Sequence, residues 1–161
     1  MNNGITIRHE LRCGDLGRII ALHGEVYDAL PGFGLRFEAY VARTIAEYVL
    51  DNDANGHMWL LERDGRLVGC TAVVLRDNGR GQIRWVVVDP TERGKGLGKK
   101  MVTDAVTYCA ENDCLSIFLE TTDGLVESLA LYESLGFQVI SNTNVDLWEG
   151  PRPLMIMEKA L

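Results

Sequence analysis

The most informative segment of this sequence reads Val86-Val87-Val88-Asp89-Pro90-Thr91-Glu92-Arg93-Gly94-Lys95-Gly96-Leu97-Gly98-Lys99-Lys100. Its β-branched start predicts a strand, Asp89-Pro90 ends that strand, and a glycine-rich turn leads into a helix. Glycine permits positive φ and lets a ligand come close to the backbone, and the first turn of a helix has unpaired N–H groups and partial positive charge. Together these features predict a pyrophosphate cradle at Arg93–Lys99.

The charge of this turn is opposite to that of the whole chain. The chain has 161 residues and a net charge of −7. Because nucleic-acid binding depends on neutralising phosphates, we expect no nucleic-acid partner. Arg93, Lys95, Lys99 and Lys100 nevertheless fall within one short stretch, and such a local reversal of charge favours an anion site.

Two familiar phosphate loops do not match this turn. A P-loop register starting at Gly94 puts Lys99 where the second glycine should be. A dinucleotide fingerprint needs the spacing GxGxxG near the first strand, whereas Gly94-Lys95-Gly96-Leu97-Gly98 has GxGxG deep in the chain.

Hydrophobic periodicity predicts the elements around the loop. Strands are expected at 6–12, 57–63, 67–75, 82–88, 116–121, 137–143 and 154–159, and helices at 15–30, 37–49, 97–109 and 126–135. We therefore predict an α/β fold with a mixed, mostly antiparallel sheet flanked by about four helices, in which strand 82–88, the loop, the next helix and strand 116–121 form a parallel crossover unit. Asp15 is expected to cap the first helix, and Thr122 or Asp123 the last.

Two motifs make the chain resemble the GNAT N-acetyltransferase superfamily. Arg93-Gly94-Lys95-Gly96-Leu97-Gly98 matches the pattern Q/R-x-x-G-x-G/A, and Leu131-Tyr132-Glu133-Ser134-Leu135-Gly136-Phe137 is similar to the LYE-x-x-GF ending of the next helix. With the element order, the resemblance implies one GNAT acetyltransferase domain over residues 1–161. His23-Gly24-Glu25-Val26-Tyr27 also resembles GNAT domains fused behind MarR-type DNA-binding regulators.

The resemblance implies acetyl-CoA as co-substrate. The pyrophosphate is then expected on the backbone N–H groups of the loop residues Arg93, Gly94, Lys95, Gly96, Leu97, Gly98 and Lys99. The backbone of Val86 and Val88 is expected to bond the pantetheine arm, with one N–H polarising the thioester carbonyl. Tyr132 matches the tyrosine beside the cofactor sulfur, which can protonate the departing thiolate.

The acceptor side is less defined by the sequence. Glu120, at the end of strand 116–121, is the candidate base, because a lysine-like amine with a pKa of about 10.4 must lose a proton; a solvated carboxylate is the alternative. His23, Glu25 and Tyr27 lie on the first helix, which forms the acceptor wall in the family, although a lone histidine on an apolar face is often a core residue. Trp148, in an expected loop at 142–152, is a further candidate for this wall.

The function predicted from these residues is acetyl transfer to a primary amine by direct attack in a ternary complex. Cys109 and Cys114 do not look like acyl-accepting nucleophiles, and the cysteine spacing implies no metal. The acceptor is a small-molecule or peptide amine. We expect a cytoplasmic protein with no membrane segment, since no long apolar run or N-terminal signal is present. A homodimer is an open alternative to a monomer, because exposed strand edges often pair between copies. An acyl-CoA-binding sensor with little or no catalysis is the alternative, and the preferred acyl length stays open.

Overall fold

The computed structural model describes residues 4–51 and 55–161, which form one seven-stranded sheet covered by helices on both faces. The strands are β1 (Ile5–Arg8), β2 (Gly56–Arg63), β3 (Arg66–Arg76), β4 (Arg80–Val88), β5 (Ser116–Thr121), β6 (Gln138–Leu147) and β7 (Gly150–Ala160). The helices are α1 (Asp15–Asp28), α2 (Gly34–Leu50), α3 (Leu97–Glu111) and α4 (Val126–Ser134). Within these described ranges, no helix is long and apolar enough to cross a membrane.

The strand order is β1-β2-β3-β4-β5-β7-β6, and every neighbouring pair is antiparallel except β4 and β5. This confirms the predicted α/β fold and its single parallel crossover unit. Asp64 and Gly65 join β2 to β3 with φ of 50° and 76°. Positive φ at both central residues is the type I′ geometry that matches the twist of a two-residue hairpin.

The parallel pair β4–β5 is short. Its pairing covers only Arg80–Gln82 against Ser116–Phe118, although β4 continues to Val88. On its other side, β4 contains a bulge at Trp85, which has a φ of 51° where the register with β3 shifts. A bulge bends its strand and redirects side chains. The two strands therefore end pairing before the glycine loop, and a cleft opens between them.

The core has one layer on each face of the sheet. Helices α1 and α2 pack over Leu60, Cys70 and Val87 on one face, whereas α3 and α4 pack over Leu61, Val73 and Ile117 on the other. Residues 60 and 61 point to opposite faces because side chains alternate along a strand. Both layers reach β4, so the strand before the loop is held from both sides.

Truncating a side chain in the first layer is expected to destabilise the fold. Ile45 of α2 is 0% exposed, so Ile45→Ala should lower the free energy of unfolding by about 2–5 kcal/mol through lost burial and a residual cavity. Leu50 on the same helix is 77% exposed, and Leu50→Ala should change the free energy of unfolding by less than about 0.5 kcal/mol. Urea denaturation followed by circular dichroism measures both, and equal effects would contradict this packing.

The segment around β1 and α1 differs from the sequence prediction. β1 ends at Arg8 and not at residue 12, because Asp15 binds the Arg8 guanidinium at 2.7 and 3.0 Å and the Arg12 N–H at 2.7 Å, which turns the chain. Gly14, in a left-handed conformation, occupies the N-cap position predicted for Asp15. Helix α1 also ends at Asp28, two residues early, before the Pro31-Gly32 break.

The expected loop at 142–152 is instead a long hairpin. β6 and β7 remain paired up to Leu147 and Gly150, so only Trp148 and Glu149 form the turn. Pro151 and Pro153 lie within β7. They are tolerated because β5 pairs only with Met155–Ala160, so the other edge of β7 is free at the prolines and no sheet hydrogen bond is lost there.

Candidate functional site

The glycine loop is held open by the residues just before it. Asp89 accepts hydrogen bonds from the Thr91 N–H at 2.9 Å and the Thr91 hydroxyl at 2.6 Å, which closes the turn after β4. Gly94 and Gly96 have φ of 74° and 75°, and a Cβ on either residue would meet no atom within 4 Å. Gly96 is the N-cap of α3 and no side chain caps it, so the first N–H groups of the helix are available to an anion.

The four cations of the loop separate into two pairs. Lys95 Nζ lies 2.8 Å from the Glu92 carboxylate, and Lys100 Nζ lies 2.8 Å from Asp104. Arg93 and Lys99 are exposed and line the cavity beside the loop. The positive charge facing that cavity therefore comes from these two side chains and the helix terminus, while Lys95 is committed to an ion pair.

Glu92 anchors the loop to the sheet. It is 3% exposed and receives two hydrogen bonds from Arg63 of β2, at 2.6 and 2.8 Å. The Arg63 and Lys95 hydrogen bonds lower the pKa of Glu92 to about 2. The carboxylate therefore stays ionised at any ordinary pH and keeps the loop in register with β2.

The free energy of unfolding at acidic pH should reveal the contribution of this Glu92 ion pair. Because the pKa of Glu92 is lowered from 4.5 to about 2 on folding, its contribution is complete above about pH 4.5 and disappears as the pH falls toward 2. Glu92→Gln should lower the free energy of unfolding at neutral pH. It should also make the fall of this free energy between pH 5 and 2 less steep, because unfolding of the variant takes up about one proton fewer in that range. Urea titrations across this range test the expectation, with Glu111→Gln on exposed α3 surface as control. An unchanged dependence of this free energy on pH would contradict it.

Two cavities of about 780 Å³ each lie along the cleft between β4 and β5. The loop cavity is bordered by the glycine loop, α1 and α4; its lining includes Glu25, Val88, Arg93, Gly96, Lys99 and Leu131. The aromatic cavity is bordered by α2 and the β6–β7 turn; its lining includes His23, Phe37, Tyr40, Arg84, Glu120 and Trp148. Tyr27, Val86, Leu125, Ser128 and Tyr132 line both cavities, which therefore meet at these residues.

The junction contains two phenol groups. The Tyr27 hydroxyl donates to the Val86 carbonyl at 3.3 Å, and burial raises the pKa of Tyr27 to about 12. Tyr132 on α4 is 6% exposed and packs edge-on against Phe137 with a centroid distance of 6.0 Å. Burial also raises the pKa of Tyr132 well above its usual range. Both phenols are therefore proton donors at neutral pH.

Aromatic rings form the wall of the second cavity. The ring centroid of Phe37 lies 4.6 Å from that of Tyr27 and 4.8 Å from that of Trp148. The centroids of Trp148 and Tyr40 are 5.9 Å apart. Trp148 reaches this wall from the β6–β7 turn. The predicted candidate Trp148 therefore lines the cavity, although the hairpin and not a loop presents it.

His23 is buried in the same wall. Its Nδ1 lies 2.8 Å from the Ile19 carbonyl and so bears the proton. Burial lowers the pKa of His23 to about 4, which makes the ring neutral. Within the described residues, its buried Nε2 has no hydrogen-bond partner. The ring thus presents a free lone pair, the state of an acceptor for an N–H or O–H group.

The predicted site residues divide between the two cavities. His23 and Tyr27 line the aromatic cavity, whereas Glu25 lines only the loop cavity. Glu120 is exposed at the end of β5 and lines the aromatic cavity. Val86 lines both cavities and Val88 only the loop cavity.

The N-cap prediction for Thr122 or Asp123 is wrong. Leu125 is the N-cap residue of α4, and Asp123 instead binds Arg152 of β7 at 3.0 Å. The Asp123 carboxylate can bind Arg152 because β7 begins at Gly150, earlier than the sequence indicated.

Three arginines of the aromatic cavity were not anticipated. Arg36 and Arg43 come from α2 and Arg84 from β4, and the carboxylates of Glu120 and Asp146 line the same space. No sequence motif marks these arginines, because each is a single charged residue in an ordinary amphipathic element. Only the packing of α2 beside β4 brings them together.

Cys109 lies on α3, outside the linings of both cavities. Cys109 is 0% exposed in the core, and burial raises its pKa to about 12, so its thiol is not a nucleophile. Among residues 4–51 and 55–161, no three His, Cys, Asp or Glu side chains are grouped as ligands for a metal ion.

The chain is similar to known acetyltransferases in sequence and in fold. The sequence profile described as the Acetyltransferase (GNAT) family matches residues 25–137. The glucosamine 6-phosphate N-acetyltransferase of Trypanosoma brucei brucei is 36% identical over 80 residues, which are 46% of this chain and 52% of that protein. An uncharacterized N-acetyltransferase of Escherichia coli (strain K12) is 36% identical over 89 residues, 53% of each protein. The chain thus spans about half the length of the curated relatives it matches.

Solved structures share the fold at low sequence identity. A putative GNAT-family acetyltransferase from Desulfovibrio desulfuricans superimposes with a TM-score of 0.79 at 14% identity, covering 97% of this chain and 98% of that one. A putative acetyltransferase from Salmonella typhimurium, solved with its cofactor acetyl-CoA, gives a TM-score of 0.71 at 19% identity over 99% and 95% of the two chains.

Proposed function

We propose, from the fact that this chain belongs to the acetyltransferase (GNAT) family, that it is an N-acetyltransferase whose loop cavity binds acetyl-CoA and whose aromatic cavity binds a primary amine. One observation carries this proposal: the two cavities meet at Tyr27, Val86 and Tyr132. A donor held on the glycine loop and an acceptor held by the aromatic wall would react at that junction.

The loop cavity fits the diphosphate of coenzyme A. Gly94 and Gly96 leave open space where side chains would stand, and the uncapped start of α3 directs N–H groups toward it. Arg93 and Lys99 add charge on the cavity side. The backbone of Val86 and Val88 would bond the pantetheine arm in the cleft where β4 and β5 no longer pair.

Acetyl-CoA supplies an activated acyl group, and the protein supplies position and proton transfer. A backbone N–H of β4 would polarise the thioester carbonyl while the amine attacks it directly. Tyr132 would protonate the departing thiolate, which suits a phenol kept neutral by burial. The proposed step passes through no acylated cysteine, since no cysteine of the described residues lines either cavity.

The amine must lose a proton before or during attack. We assign this role to Glu120, whose exposed carboxylate lines the aromatic cavity and can act through water. His23 and Tyr27 contact the acceptor, and Glu25 lies on the donor side of the junction. The names of the curated relatives, both N-acetyltransferases, support nitrogen as the accepting atom.

The test is thiol release from acetyl-CoA by the purified protein across a panel of amines, with calorimetric titration of CoA. Amine-dependent release supports the proposed activity. CoA binding without turnover would instead favour an acyl-CoA sensor, the alternative suggested by the resemblance to regulator-fused domains. A protein that does not bind CoA would refute the assignment of the loop cavity.

A further inference from the structure

Arg84 has an unusual environment for a half-buried arginine. It donates to the Tyr40 hydroxyl at 3.2 Å, and its guanidinium lies 4.8 Å from the centre of the Trp85 ring. Within the described ranges it forms no ion pair with a carboxylate, whereas Arg8 binds two carboxylates at 2.6 and 2.7 Å and Arg63 binds one at 2.6 Å. A guanidinium that is partly removed from water is usually paired. The structure positions this one on two aromatic side chains and leaves its fork open to the aromatic cavity.

Arg84 lies at a defined distance from the junction. It precedes Val86 by two residues on β4, with the Trp85 bulge between them, so the two backbone positions are at most about 7 Å apart. Tyr27, Phe37, Trp148 and Tyr40 form a continuous wall between the two points, with ring centroids 4.6–5.9 Å apart. A ligand that reaches both points therefore runs along an apolar wall.

The remaining charged side chains of this cavity are of both signs. Arg36 and Arg43 lie seven residues apart on α2, on the face that carries Tyr40, so they add positive charge at the Arg84 end. Glu120 and Asp146 are exposed and bring negative charge to the same cavity. At the junction end, the His23 ring stacks on Tyr27 with a centroid distance of 6.1 Å and offers an unpartnered Nε2.

We propose that the acceptor is an amine that also carries an anionic group, a carboxylate or a phosphate, and that Arg84 binds this group. This inference rests on the proposed function, since it names the substrate class of the same site. The amine end lies at the junction, where His23 Nε2 accepts a hydrogen bond from it. The planar fork of Arg84 forms two parallel hydrogen bonds with a carboxylate or phosphate, which a lysine cannot reproduce.

Matched acceptors test the class directly. ω-Amino acids of increasing length are compared with their amides, and aminoalkyl phosphates with the corresponding amino alcohols, so that each pair shares the amine and differs in the anion. We expect the anionic member of the best pair to have a kcat/KM at least 10-fold higher. The carboxylate and phosphate series show which anion is preferred. No advantage for the anionic member in any pair would overturn the inference.

Variants of Arg84 test the assignment to this residue. Arg84→Gln should raise KM for the anionic acceptor at least 10-fold, leave kcat nearly unchanged and leave KM for its neutral partner unaltered. Arg84→Lys keeps the charge, and its KM for the anionic acceptor should lie between those of the wild type and Arg84→Gln. Arg18→Gln, an exposed arginine of α1, is the control for loss of one positive charge. Equal effects of Arg84→Gln on both members of a pair would indicate a structural role and contradict the assignment.

A binding measurement separates this inference from the proposed activity. Trp85 and Trp148 line the cavity, so a Trp59→Phe background reports acceptor binding by fluorescence in the presence of CoA, which permits no turnover. Anion-dependent binding that needs Arg84, without acetyl transfer, would uphold the inference and refute the activity. Acetyl transfer without any preference for an anionic acceptor would support the proposed activity and refute the inference. Absence of binding by every anionic acceptor would overturn the inference.

Discussion

Replacing Tyr132 with phenylalanine is expected to lower kcat for acetyl transfer by about 100-fold or more while the affinity for CoA stays unchanged. The change removes only the hydroxyl, and the ring keeps its packing against Phe137. No hydrogen bond from this hydroxyl is found within the described residues, so its loss should leave the fold intact. What is lost is the proton for the departing thiolate at the junction of the two cavities.

The pH dependence should agree with this role. Burial raises the pKa of Tyr132, so the phenol remains protonated above its usual range and does not limit the rate on the alkaline side. The wild type should therefore keep its kcat as the pH rises toward about 10, the usual pKa of an exposed tyrosine. A decline with an apparent pKa well below 10 that disappears in the variant would contradict the acid role of a buried, protonated tyrosine.

Thiol release measured with the best amine, alongside calorimetry with CoA, tests the Tyr132 prediction. Tyr108→Phe is the matched control, because Tyr108 lies on α3 beside His57, away from both cavities. If Tyr132→Phe and Tyr108→Phe have equal kcat values, another group protonates the thiolate.

Gly96→Asp should weaken CoA binding by at least 100-fold, or about 2.8 kcal/mol. Gly96 has a φ of 75°, which aspartate and asparagine tolerate better than other side chains, and its Cβ would enter open space in the cradle. A carboxylate at this position would repel the phosphates. Because the positive φ makes any side chain at this position strained, the loss of affinity is measured against an uncharged variant of the same shape.

Gly96→Asn is the matched control for this change. Asparagine has nearly the same shape and the same tolerance of positive φ but no charge, so its CoA affinity should fall much less than that of Gly96→Asp. The difference between the two dissociation constants, measured by calorimetry at low and high salt, isolates the electrostatic term, and it should shrink as salt increases. Equal affinities for the two variants would place the diphosphate elsewhere.

The fold was largely predictable because its signals are local. The strand, glycine turn and helix around Arg93–Lys99 follow from short-range backbone preferences, and apolar periodicity gave the order of the elements. The errors fall where a long-range contact overrides a local signal. Asp15 turns the chain through Arg8, and the prolines of β7 are acceptable only because β5 ends before them.

The candidate site was predictable only in part, for the same reason. Tyr132 and the loop glycines belong to contiguous motifs, so the sequence marked them. The separation of Lys95 from the cavity depends on its ion pair with Glu92, which itself depends on Arg63 of another strand. Arg84 carries no motif, and its significance comes from Tyr40 and Trp85, which hold it, and from the missing carboxylate.

The sequence by itself determined the class of fold, the glycine loop and the strand and helix on either side of it, because one continuous segment builds the loop and its flanking elements. The tertiary structure alone decided where the loop cavity meets a second cavity and what lines that cavity. Its wall is assembled from α1, α2, β4 and the β6–β7 turn, which lie far apart in the chain. The lining of the proposed acceptor site therefore depends on packing between distant elements, and no local pattern of residues encodes it.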